Sequence, residues 1–142
     1  MYPQIKAAAA QAQVLVGGLL LDCDPRPGAG CASVGNSDKP PKFLEGILRN
    51  GGGAYFDGIS YHAYDYYDGV SGRYRNNNWQ SAWNTTGPVV TAKTAFIKSL
   101  MNTYSVSGKF LMNTESAILC DGCSSDATFE RTKAYYVAQA YA

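Results

Sequence analysis

A chain of 142 residues, 46% of them hydrophobic, fits one domain (1–142) with a core of its own. Its formal net charge is +1, with Lys and Arg scattered, which gives no electrostatic reason to expect nucleic acid or an anionic membrane as partner. No apolar run approaches the roughly 18 residues that span a bilayer, and the N-terminus lacks the parts of a signal peptide, so either the protein stays inside or Met1 is not its natural start.

The pattern predicts an Ala-rich helix over residues 3–13, with Pro3 in the first turn, where a missing N–H costs nothing. Residues 14–20 form a continuous apolar run, as in a strand covered on both faces. Asp22, Cys23 and Asp24 follow, and then a loop rich in Pro and Gly to residue 41. Over 42–50 a helix brings Phe43, Leu44, Ile47 and Leu48 to one face. Gly51, Gly52 and Gly53 end it; a phosphate cradle would need glycines before a helix, not after one.

Residues 55–64 read as a second strand, followed by a polar and aromatic loop to Pro88 that holds Tyr66, Tyr67, Tyr74, Trp79 and Trp83. Residues 90–104 read as an amphipathic helix with Ala95, Phe96 and Leu100 inward. A third strand spans 109–115, and a last helix spans 126–141 with Phe129, Tyr136, Val137 and Ala140 buried. Loops after strands are long, and loops after helices are short. That asymmetry predicts an α/β chain of about three parallel βα units preceded by a helix, the layout of a partial TIM (β/α)8 barrel with function at the strands' C-terminal ends. Three strands cannot close a barrel of eight.

Eleven Tyr and two Trp beside many Asn, Gly and Ser are the mixture of a secreted or cell-surface carbohydrate-active protein, although aromatic residues also fill ordinary cores. The four Cys form two close pairs, Cys23 with Cys31 and Cys120 with Cys123. Local disulfides fit them and imply an oxidising compartment; a zinc site is the alternative, since C-x-x-C is half of one, but the other pair has the wrong spacing. Asn84 opens a glycosylation sequon.

Of the three glutamates, Glu45 and Glu130 fall on helices, where a solvated face explains them, while Glu115 ends the third predicted strand. A carboxylate there is desolvated and costly without a partner or a task; capping a nearby amide is the plain alternative to catalysis. His62 is the single histidine, and at a two-residue spacing its ring leaves the strand on the same face as Tyr64. Neither a Ser/His/Asp grouping nor a metal-binding run competes with these residues, and Asp65 and Asp68 are not placed like strand-end catalysts.

Phe56-Asp57-Gly58-Ile59-Ser60-Tyr61-His62-Ala63-Tyr64 resembles strand six of the clan A glycoside hydrolases, a barrel group that includes cellulases and β-xylosidases. Residues 109–117 resemble strand seven, which carries the nucleophilic Glu, with Ser116-Ala117 departing from the usual pattern after Thr114-Glu115. Residues 2–20 are similar to helix four and strand five, through Val16-Gly17-Gly18. The resemblance implies retaining hydrolysis of O-glycosyl bonds without a cofactor or a metal. Glu115 would be the nucleophile, and His62 and Tyr64 would border the sugar. Trp79 and Trp83 either stack on sugar faces or pack against their own loop.

In that clan the acid partner is a Glu after strand four, and the chain begins beyond it; Asp22 or Asp24 has no support as a substitute. The expectation is therefore little or no activity for the chain alone. Its unpaired sheet edges predict a homo-oligomer or a partner that supplies the other strands. The alternative is a non-catalytic carbohydrate-binding or assembly module derived from such a barrel.

Overall fold

The computed structural model describes residues 1–26, 29, 31, 42–67, 79–81, 83, 85, 87–120, 123 and 126–141. The predicted loops at 22–41 and 65–88, Asp68, Tyr74 and the sequon at Asn84 lie partly or wholly outside these residues.

The Ala-rich segment forms a helix only over Tyr2–Ala8 (α1), well short of residue 13, although Pro3 does sit in its first turn. A short helix needs an apolar face to dock, and the alanines that follow offer none; α1 contributes no buried side chain. Polar contacts to Asp57 hold it instead. Asp57 accepts hydrogen bonds from the Tyr2 hydroxyl (2.8 Å) and the Val14 N–H (2.8 Å), and pairs with the Lys6 ammonium at 2.9 Å. The Val14 N–H above all, then Lys6, lowers the Asp57 carboxyl from 3.8 to about 2.

The fold is α/β, with three parallel strands and four helices. Strands β1 (Leu15–Leu19), β2 (Gly58–Tyr67) and β4 (Phe110–Leu119) are parallel, with β2 in the middle. A two-residue strand, β3 (Trp79–Gln80), pairs antiparallel with the end of β2 at Tyr66 and Tyr67. Strand β2 starts three residues later than the sequence suggests and runs three further, because β4 continues to pair with it as far as Leu119.

Alternation along β2 gives the sheet two unlike faces. Ile59, Tyr61, Ala63 and Asp65 are buried on the first. Helices α2 (Phe43–Arg49), α3 (Val89–Thr103) and α4 (Ala127–Tyr141) pack there, through Leu44 and Leu48 of α2, Val89, Ile97 and Met101 of α3, and Tyr136 of α4. Ser60, His62, Tyr64 and Tyr66 lie on the second face. Leu15, Phe110, Met112 and Leu119 flank them, and all four are exposed. Among the described residues no element covers that face. The expectation that β1 is covered on both sides is therefore corrected: its apolar run is covered on one side only.

The helices hold smaller corrections. In α2, Leu44 and Leu48 are buried but Phe43 is exposed. Gly51 takes a left-handed φ of 77° after α2, and a 3-10 turn (Gly52–Tyr55) leads into the sheet. In α3 the buried stripe is Val89, Lys93, Ile97 and Met101, one position round from the predicted face; Ala95 is exposed, while Phe96 and Leu100 pack at the margin. In α4, Phe129 and Tyr136 are buried as expected and Val137 is exposed. Asp126 caps α4, with Oδ1 accepting the Thr128 N–H at 2.7 Å. Disulfides join Cys23 to Cys31 and Cys120 to Cys123, across Cα separations of 5.3 and 5.7 Å. No helix of the described residues is long and apolar enough to cross a membrane.

The depressed carboxyl of Asp57 sets a pH window. Its contribution is complete above the ordinary value of 3.8 and is lost as pH falls toward about 2. The Val14 amide resonance should titrate with a midpoint near pH 2 in the native protein. In Asp57→Asn, amide exchange at residues 2–14 should quicken at neutral pH while β2 stays protected. A Val14 amide insensitive to acid would contradict the link.

Candidate functional site

His62 and Tyr64 reach the open face by strand alternation alone. Glu115 does not. Counted by twos from Leu111, which packs against the helices, residue 115 belongs on the helix side. A bulge reverses this: Tyr61 pairs with Asn113 but His62 pairs with Glu115, so Thr114 is the extra residue and everything after it changes face. The carboxylate then lies directly across from the imidazole.

Two side chains converge on one oxygen. The Tyr64 hydroxyl donates to Glu115 Oε2, and His62 Nδ1 stands 3.4 Å from the same atom. The His62 and Tyr64 rings meet edge to face with centroids 6.0 Å apart. Engagement of Oε2 leaves Oε1 to meet a ligand, as a nucleophile, a base or an acceptor for a hydroxyl. The sequence predicts a desolvated carboxylate at a strand end, and both parts are corrected. Glu115 is mid-strand, because β4 runs on to Leu119, and its side chain is 52% exposed against 20% for His62.

Trp83 and Asp24 are engaged elsewhere. Trp83 is buried, 3% exposed, with its indole N–H donated to the Leu21 carbonyl (3.0 Å) and its ring edge-on to Phe96. It is a core residue without a free face, which corrects its reading as a sugar platform. Trp79 is placed in β3 by its backbone pairing to Tyr67. Asp24 is buried against Arg26, which it meets at 2.5 Å, and exposed Asp22 accepts the Cys23 N–H. With Cys23, Cys31, Cys120 and Cys123 all in disulfides, the four-thiolate zinc alternative falls away; no metal-holding cluster occurs among the described residues.

Sequence reasoning missed the polar supports behind the sheet. Lys93, 1% exposed, donates from Nζ to the carbonyls of Leu20 (2.8 Å) and His62 (3.0 Å), tying the end of β1 to the middle of β2 beneath the site. Asp65 Oδ2 accepts the Val89 N–H (2.9 Å) and the Tyr136 hydroxyl (2.9 Å), joining α3 and α4 to β2. The available signal was a stripe at four-residue spacing, Val89, Lys93, Ile97 and Met101, in which one member is charged. No family model, curated protein or solved structure matches this chain.

Burial lowers the Lys93 ammonium from 10.5 to about 8, against the pull of Asp65 and Asp22. Between those values the unfolded chain binds more protons, so folding stability should rise with pH above 8, by up to about 3 kcal/mol if no other group titrated. Past pH 10 Tyr136 opposes the trend, since burial and Asp65 raise its hydroxyl. Urea midpoints between pH 8 and 10 should climb in the wild type and stay flat in Lys93→Met. Parallel slopes would contradict this.

Proposed function

We propose that the chain carries part of a (β/α)8-barrel glycosidase site in which Glu115 is the nucleophile of retaining β-glycoside hydrolysis. The observation that supports it is the bulge at Thr114, which spends ladder regularity to bring a carboxylate onto an open face beside an imidazole and a phenol. Bulges of this kind re-aim side chains next to active sites.

In the proposed reaction Glu115 Oε1 attacks the anomeric carbon, the bond to the leaving oxygen breaks, and that oxygen takes a proton from a general acid. Water then cleaves the glycosyl ester, giving up its proton to the same group. That group is a second carboxyl about 5 to 5.5 Å from the nucleophile in retaining enzymes. Asp24 and Asp65 are committed elsewhere, to Arg26 and to α3 and α4. His62 and Tyr64 hold the nucleophile and border the sugar; Trp79 is kept as a stacking candidate.

The partial-barrel reading has its own support. A parallel sheet is ordinarily covered on both faces, whereas here Leu15, Phe110, Met112 and Leu119 lie on a face with no described cover. Further barrel strands, from a partner or a second copy, would close that face and supply the acid. Light scattering should show association that grows with concentration; a monodisperse monomer at every concentration counts against this part.

A dinitrophenolate leaving group departs without a proton, so the first step can be tested without the acid. Dinitrophenyl 2-deoxy-2-fluoro-β-glycosides should add one glycosyl mass to the protein, with the label on Glu115 and none in Glu115→Gln. Turnover of ordinary aryl β-glycosides should be very low. No labelling across gluco, xylo and manno probes, with weak sugar binding unchanged by Glu115→Gln, would replace this reading with the non-catalytic carbohydrate module.

A further inference from the structure

The imidazole of His62 has a second close neighbour besides Glu115. Strand β1 pairs Val16 with Ile59 and then Leu19 with Tyr61, so Gly17 and Gly18 together occupy the place of one residue opposite Ser60. Both have positive φ, 154° for Gly17 and 36° for Gly18. A Cβ on Gly17 would overlap Ser60 Oγ and its carbonyl oxygen. A Cβ on Gly18 would stand 3.0 Å from His62 Nε2 and 3.3 Å from Cε1. The Gly18 N–H donates to Ser60 Oγ at 2.9 Å, which fastens the β1 backbone to β2 at this level. The imidazole thus stands between bare backbone on its Nε2 edge and a carboxylate 3.4 Å from Nδ1.

We propose that Gly18 is a positioning residue for the site: its missing side chain lets the His62 ring stand with Nδ1 toward Glu115, and so selects the neutral tautomer with its proton on Nδ1. The geometry leaves little slack. A methyl at position 18 forces the ring to move by a few tenths of an ångström or to turn, and 3.4 Å is already near the limit at which an N–H holds an oxygen. Turning the ring takes Nδ1 away from Glu115 Oε2 and changes the setting of Oε1 with it. The consequence for catalysis rests on Glu115 being the nucleophile; the tautomer does not.

His62 is the single histidine of the chain, so its imidazole signals need no assignment. Long-range proton–nitrogen correlation spectra of the neutral ring should show Nδ1–H as the main form in the wild type. Gly18→Ala should raise the Nε2–H form several-fold. Ser60→Ala, which adds no methyl but releases the Gly18 N–H, should move the ring the same way by less. Gly51→Ala, at a φ of 77° with nothing within 4 Å, serves as a control for backbone strain and should leave the imidazole signals in place. Labelling of Glu115 by the fluoroglycoside should slow about ten-fold in Gly18→Ala, the scale of a small misplacement of reacting groups.

An Nε2–H wild type, or a folded Gly18→Ala with unchanged spectra, overturns the proposal. If Gly18→Ala does not fold, unchanged spectra in Ser60→Ala overturn it. Tautomer shifts without any labelling of the wild type would leave the positioning role standing and remove the glycosidase reading instead.

Discussion

Strand β2 has to pair with two neighbours that each carry one residue too many opposite residues 60–62. On β1 the surplus is absorbed by Gly17 and Gly18, and on β4 by Thr114. A ladder with a two-residue repeat has no neutral way to take in a single residue: whatever follows the insertion changes face. In β4 the change moves the glutamate from the helix side to the open side. In β1 it lets the backbone close on Ser60 and His62, a separation that a side chain would prevent. Both irregularities sit level with the one histidine, and the arrangement of the open face depends on their staying in register.

Regularity of the other face is what makes that tolerable. Ile59, Tyr61 and Ala63 alternate without a break into the layer of helices, and the buried charges Asp65 and Lys93 there are hydrogen-bonded. Asp65 anchors the first turn of α3 and the Tyr136 hydroxyl of α4, while Lys93 reaches back from α3 to the carbonyls of Leu20 and His62. A buried polar group left without partners costs about 1 to 3 kcal/mol. Each of these instead ties a helix to the sheet, so the helix layer and the site share the same few hydrogen bonds.

The βα order, the parallel sheet, the glycine stop at Gly51 and the shared face of His62 and Tyr64 could all be read from the chain, because each follows from spacing or from one residue's backbone freedom. The position of Glu115 was legible only as a carboxylate near the end of an apolar run. Its actual face depends on Thr114, whose side chain is ordinary in a strand and signals no bulge. The buried face of α3 lies one position from the predicted one because the Lys93 ammonium has carbonyls to meet inside. Trp83 was ambiguous for the reason that applies to any loop aromatic: composition does not reveal that the Leu21 carbonyl waits for its N–H.

The attachment of α1 differs in kind from that of the other helices. Oxygen and nitrogen contacts to Asp57 hold it, and no side chain of its own is withdrawn fully from water. Heat capacity on unfolding comes mainly from apolar surface, so the departure of this helix would add little to it. Ionic strength would reveal it, since exposed charge pairs weaken as the screening length shortens. The first turns of the chain are therefore joined to the rest by a clasp that salt can open.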